Sequence, residues 1–115
     1  MRRDIVLFIL DIEESINKIN NFSKGLTKKI FFEDELRQSA VMRELLVIGE
    51  AVKNIPEEFR KKYSSIEWKE IAGLRDVLIH AYFGADLITV WKVINEDLPR
   101  LKKEIKKILE KEGEK

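Results

Sequence analysis

Asp4–Phe22 reads DIVLFILDIEESINKINNF, and the spacing of its apolar residues decides the fold. Ile5, Phe8, Ile9, Ile12, Ile16, Ile19 and Phe22 recur at spacings of three and four, with Phe8 and Ile9 side by side. On a helix of about 3.6 residues per turn such steps draw one stripe, so this segment must lay one face against a core. Gly25 closes it. The next periodic stretch spans about 33–54, with Leu36, Ala40, Leu46 and Val47 marking its inner face and Gly49 admitting a close neighbour. Pro56 suits the start of a short helix whose dipole Glu57 and Glu58 complement. A third major helix is expected over 68–81, through Ile71, Leu74, Leu78 and Ile79, with Gly84 as its stop. Asp86 is placed to cap the last helix, which carries Val90, Trp91, Ile94, Leu98, Leu101, Ile105 and Ile108. Pro99 lies inside that segment and lacks a helical donor, which predicts a kink or division there. No alternating strand pattern, hairpin turn, repeat or linker is visible. The expectation is an all-α bundle of four to five helices with up-and-down connections, one domain over 1–115.

The composition narrows the chemistry. The chain of 115 residues is 44% hydrophobic and 37% charged, as expected of a soluble globular domain. It has no cysteine and one histidine, which removes disulfides, thiol nucleophiles and a zinc site built from protein ligands alone. Arg2 and Arg3 resemble a basic leader, but the apolar run 5–10 is short and Asp11 follows at once, so neither a targeting segment nor a membrane span is expected and the cytoplasm fits best. The 22 basic and 21 acidic side chains leave a net charge of +1, a surface common among thermophiles. Any affinity for a nucleic acid must therefore come from a local patch.

Gly73-Leu74-Arg75-Asp76-Val77-Leu78-Ile79-His80-Ala81-Tyr82-Phe83-Gly84 stands apart. It holds the single histidine, an arginine five residues before it and a tyrosine two after. Asp76 and His80, four apart, are helical neighbours, so the carboxylate is placed to orient the imidazole. Arg75 and Tyr82 share nearly one stripe, whereas Arg75 and His80 diverge by roughly 140°. They converge only through arginine's length, a helix end near His80, or a second subunit. Cleaving RNA by attack of its own 2'-hydroxyl needs a base, an acid and a cation at the phosphate. Histidine suits the proton transfers and arginine the two-pronged phosphate contact. A symmetric dimer would gather two of each in one cleft. The plainer reading makes His80 a surface or packing residue and Arg75–Asp76 part of an ion-pair network. By the same default Trp68 and Trp91 are packing anchors, and Arg60-Lys61-Lys62, Lys102-Lys103 and Lys106-Lys107 are solvated helix faces.

Arg75, His80 and Tyr82, spaced as arginine, four residues, histidine, one residue, tyrosine, resemble the signature of HepT proteins in the HEPN superfamily. Ala40-Val41, Ile48-Gly49-Glu50-Ala51, Ile66-Glu67-Trp68, Gly73-Leu74-Arg75-Asp76, Val90-Trp91 and Asp97-Leu98-Pro99 resemble its other blocks in order over nearly the whole chain. One departure is Asp76, where many relatives carry asparagine. The resemblance implies a HEPN-like helical homodimer whose paired motifs cleave RNA as the toxin of a type VII-like toxin–antitoxin system. It implies Arg75 and His80 as catalytic, Asp76 as supporting, and no metal or organic cofactor. It further implies a minimal nucleotidyltransferase antitoxin, MntA-like, that transfers AMP to Tyr82. Glu50 matches a family position and is read here as a buried carboxylate that pairs helices. The competing class is a non-catalytic helical partner that positions a nucleotidyltransferase's substrate, and a weaker one is a nucleotide-binding sensor; Arg75, His80 and Tyr82, all intact, favour the enzyme.

Overall fold

The computed structural model describes residues 2–82 and 86–112, the side chains of residues 2, 3 and 82 excepted. Its elements are α1 (Arg2–Ser23), α2 (Lys28–Glu33), α3 (Glu35–Lys53), α4 (Glu57–Lys62), α5 (Trp68–Ala72), α6 (Leu74–Tyr82), α7 (Leu87–Lys92), a π-helical turn (Val93–Asp97) and α8 (Leu98–Glu112). There is no strand among the described residues. The expected all-α bundle is found, with α1, α3, the α5–α6 pair and the continuous run from α7 through α8 as its four rods.

The stripe that decides the fold forms as expected. Ile9, Ile12, Ile16 and Ile19 are buried to within 1%, and each contributes about 1.5–3 kcal/mol by leaving water. They seat α1 against α3 and α8. Gly25 ends α1 at a φ of 76°, a left-handed conformation that glycine takes without strain.

The inner face of α3 lies elsewhere than the sequence suggested. Val41, Leu45, Ile48 and Val52 are fully buried, whereas Leu36 is 80% and Leu46 42% exposed. The helix carries apolar residues around most of its circumference, and the arc that α1 and α6 cover takes in 41, 45, 48 and 52. Glu50 is exposed and pairs with Lys53 at 3.6 Å; it is not the buried carboxylate. The carboxylate buried on α3 is Glu44, which accepts a hydrogen bond from Ser15 Oγ at 3.0 Å and lies 2.9 Å from Arg43 Nη1. Gly49 does permit a close approach, since a Cβ there would stand 3.4 Å from the Ile71 carbonyl and 4.0 Å from Leu74 Cβ.

Three further differences bear on the site. A short helix, α2, precedes α3, and Asp34 separates the two by capping α3 through the Arg37 amide at 3.0 Å. The expected helix over 68–81 is interrupted at Gly73, the poorest helix former in the segment. Pro99 is accommodated by the π-helical turn just before it, in which the Leu98 amide reaches back to the Val93 carbonyl; Asn95 Nδ2 also donates to the Trp91 carbonyl at 2.9 Å. Asp86 occupies the N-cap of α7 without a side-chain capping bond. Gly84 lies outside the described residues. Trp68 is an anchor, buried with its Nε1 donating to the Arg60 and Tyr63 carbonyls at 3.1 and 2.9 Å. Trp91 is half-buried against Phe31, ring centroids 5.3 Å apart.

Candidate active site

α6 owes its orientation to Leu74, Leu78 and Ala81, which are buried at 8%, 8% and 3% exposure. This inner stripe fixes the outer one. Arg75, Asp76, Ile79 and His80 all face solvent. Around the helix they fall in the order Arg75, Ile79, Asp76, His80, so arginine and histidine form the two flanks of the exposed arc. Ile79, expected on the inner face, is 49% exposed between them.

One chain therefore does not bring Arg75 and His80 together. Asp76 and His80 occupy neighbouring register positions, yet no hydrogen bond or ion pair joins them; among the described residues nothing pairs with the side chains of Arg75, Asp76 or His80. The network that would have made them structural is absent there. α6 extends to Tyr82, so the backbone of Tyr82 lies on the stripe that begins at Arg75; its side chain and Phe83 are outside the described residues. A groove of about 290 Å³ separates the α5–α6 junction from α8, and neither Arg75 nor His80 lines it. The pair stands on an open, convex helix face.

Sequence reasoning missed the apolar character of this face. Ile79 is 49% exposed. The signal was available for Ile79: with Leu74, Leu78 and Ala81 as the inner stripe, position 79 falls outside it. No cluster of three or more histidine, cysteine, aspartate or glutamate side chains suited to a metal ion occurs among the described residues. No described helix is long and apolar enough to cross a membrane.

Residues 12–108 match the family model described as "Ribonuclease HepT-like". A "Probable ribonuclease HepT" of Thermococcus cleftensis is 43% identical over 108 residues, covering 94% of this chain and 98% of that protein. A "Putative RNase" of Methanocaldococcus jannaschii is 43% identical over 104 residues, 90% of this chain and 95% of the relative. A "Gamma-glutamylcyclotransferase and putative RNase" of the same organism is 48% identical over 110 residues; the alignment takes 96% of this chain and spans half the length of that relative. No solved structure matches the chain.

Proposed function

The chain belongs to the HepT-like ribonuclease family, and from that premise we propose that it is the toxin of a toxin–antitoxin pair, an endoribonuclease that acts as a homodimer without a divalent ion. The observation that carries this reading is the placement of Arg75 and His80, both exposed, unpaired among the described residues, and divergent around the half-exposed Ile79. A second copy laid across this face by a twofold axis covers Ile79 and sets one chain's arginine near the other's histidine.

In such a cleft, the His80 of one copy takes the proton from the 2'-hydroxyl as it attacks the adjacent phosphorus. The His80 of the other copy gives a proton to the departing 5'-oxygen. The products are a 2',3'-cyclic phosphate and a 5'-hydroxyl, so atoms and protons balance without a hydrolytic water. The two Arg75 guanidinium groups hold the charged phosphorane. Asp76 supports His80 from the preceding helical turn. Incubating RNA with the wild type and with His80→Ala in a chelator tests this directly. Cleavage by the first alone is expected; dependence on added magnesium, or undiminished cutting by His80→Ala, rules the mechanism out.

Control follows from Tyr82. It closes α6 on the stripe of Arg75, so an AMP group joined there adds a negative phosphodiester and a bulky base beside the arginine. A partner nucleotidyltransferase would direct the phenolic oxygen at the α-phosphate of ATP, releasing pyrophosphate and silencing the toxin. Tyr82→Phe is expected to keep its cleavage activity and to escape this silencing. Mass spectrometry after incubation with the cognate partner and ATP should find AMP-sized additions on Tyr82, and their absence would discard this account.

A further inference from the structure

The net charge of +1 conceals an uneven distribution: α8 carries six basic and three acidic residues. Leu98, Leu101, Ile105 and Ile108 turn into the core. The opposite arc carries Arg100, Lys103, Lys106, Lys107 and Lys111, all exposed. Four of them, at 100, 103, 107 and 111, follow steps of three and four and form one crest along the helix.

The acidic residues of α8 are mostly engaged elsewhere. Glu112 is buried, 2.7 Å from Lys62 Nζ and hydrogen-bonded by the Tyr63 hydroxyl. Glu104 accepts from Ser65 Oγ at 3.0 Å on the side facing α5 and lies 3.4 Å from Lys107 Nζ. Glu110 alone shares the outer arc. Arg100 pairs with Asp97 at 2.7 Å, and both side chains are well exposed, so the pair holds weakly. Lys103, Lys106 and Lys111 have no acidic partner among the described residues.

Beside this crest runs the groove of about 290 Å³. Ile71, Leu74, Leu98 and Leu101 form an apolar floor. Arg100, Lys103 and Lys107 line its α8 edge together with Asp97 and Glu104, which pair with Arg100 and Lys107 and leave Lys103 as that edge's unpaired charge among the described residues. Glu67 and Glu70 line the far edge, where they repel phosphate. The volume lies near the lower bound of roughly 300 Å³ for ligand pockets, room for a base but not a duplex. The floor includes Leu74, the residue before Arg75.

We propose that the crest of α8 and this groove form a binding track for single-stranded RNA, leading the strand that flanks the scissile phosphate toward Arg75. Phosphates ride on the lysine crest, a base enters over the apolar floor, and the glutamate edge fixes which side the backbone takes. The inference rests on the ribonuclease reading for what the strand is led to, and on the charge distribution for the track itself.

The test uses His80→Ala protein, which leaves RNA uncut, with a labelled single-stranded RNA of about twenty nucleotides titrated at several salt concentrations. Lys103→Glu with Lys107→Glu in that background is expected to weaken binding roughly tenfold or more near 0.1 M salt, and to lower the salt slope by about one to two. Lys103→Gln with Lys107→Gln, which adds no repulsion, is expected to fall between. In active protein the same changes should leave cleavage of a dinucleotide untouched, because it is too short to reach the crest. Unchanged affinity and slope overturn the proposal. So does an equal loss on the dinucleotide, which would mean damage to the fold or the active site. Unchanged RNA binding with weakened capture of the cognate nucleotidyltransferase assigns the crest to that protein instead. If the lysines govern RNA binding but wild-type protein cuts neither RNA nor dinucleotide, the track stands and the ribonuclease reading falls.

Discussion

An arginine and a lysine would place the same charge at position 75, so exchanging them tests geometry. Arg75 is exposed and contributes no pairing to the fold among the described residues. Its replacement should therefore leave stability within about 0.5 kcal/mol of the wild type. If a planar fork holds the phosphorane, Arg75→Lys loses one of two charge-assisted hydrogen bonds, worth about 1.5–3 kcal/mol. The expected outcome is a roughly tenfold to hundredfold fall in kcat/KM, read by steady-state cleavage beside an unchanged melting curve. Full activity in the lysine variant would show that point charge suffices. Glu44 presents the opposite case, being 3% exposed and hydrogen-bonded by Ser15. Removing it by Glu44→Ala strands the Ser15 hydroxyl and opens a cavity, a loss of about 1–3 kcal/mol by denaturant titration. Sequence singled out Arg75, Asp76 and His80 because the first two lie five and four residues before the chain's single histidine. It placed the buried carboxylate at 50 rather than 44 because burial depends on which turn of α3 meets Ser15, twenty-nine residues away.

At the scale of elements, Asp34 marks a boundary that the sequence hid. Its carboxylate caps α3 through the Arg37 amide, with the Arg37 guanidinium 2.7 Å away. The amide hydrogen bond chiefly, and then the guanidinium, hold the Asp34 carboxyl below the usual carboxylate range. A depressed pKa in the folded state means that the cap stabilises fully above the unfolded value and is lost as pH falls through the folded one. The first turn of α3 is thus expected to fray as the pH is lowered below about 4. Asp34→Asn, which can still cap but does not ionise, should remove that pH dependence; amide hydrogen exchange across the first turn of α3 reads both, and identical profiles for the two proteins would exclude the cap as the cause. The long helices were legible because their apolar stripes persist over several turns. α2 was not, since six residues give too little periodicity to separate it from α3. Nor was the break at Gly73, because the apolar spacing on its two sides is compatible with one helix. Pro99 did signal a disturbance, but only the structure shows it as a π-helical turn that leaves α7 and α8 in one rod.

The molecule as a whole measures 44 × 26 × 20 Å with a radius of gyration of 14.3 Å, slightly above the roughly 13 Å of a compact chain of this size. An elongated bundle of this kind exposes long helix flanks. One of them carries Arg75, Ile79 and His80. If catalysis needs a histidine from each of two copies, a chain lacking His80 must disable any partner it joins. If each chain cuts alone, it disables nothing. The two cases separate on mixing. Wild-type protein held at fixed concentration and given a ninefold excess of His80→Ala, with time for subunits to exchange, would have nearly every active chain in a mixed dimer. Activity should then fall by about tenfold, well beyond competition for RNA, which saturating substrate removes. A parallel series with Ile79→Asp/His80→Ala supplies the control. Its charge sits at the centre of the proposed contact, so it should fail to enter dimers and leave wild-type activity intact. Circular dichroism should show that its helices persist, because position 79 on α6 is exposed. Equal poisoning by both inactive proteins would place the subunit contact away from α6. No poisoning by either would show that one chain, with its single histidine, completes the reaction without the paired arrangement.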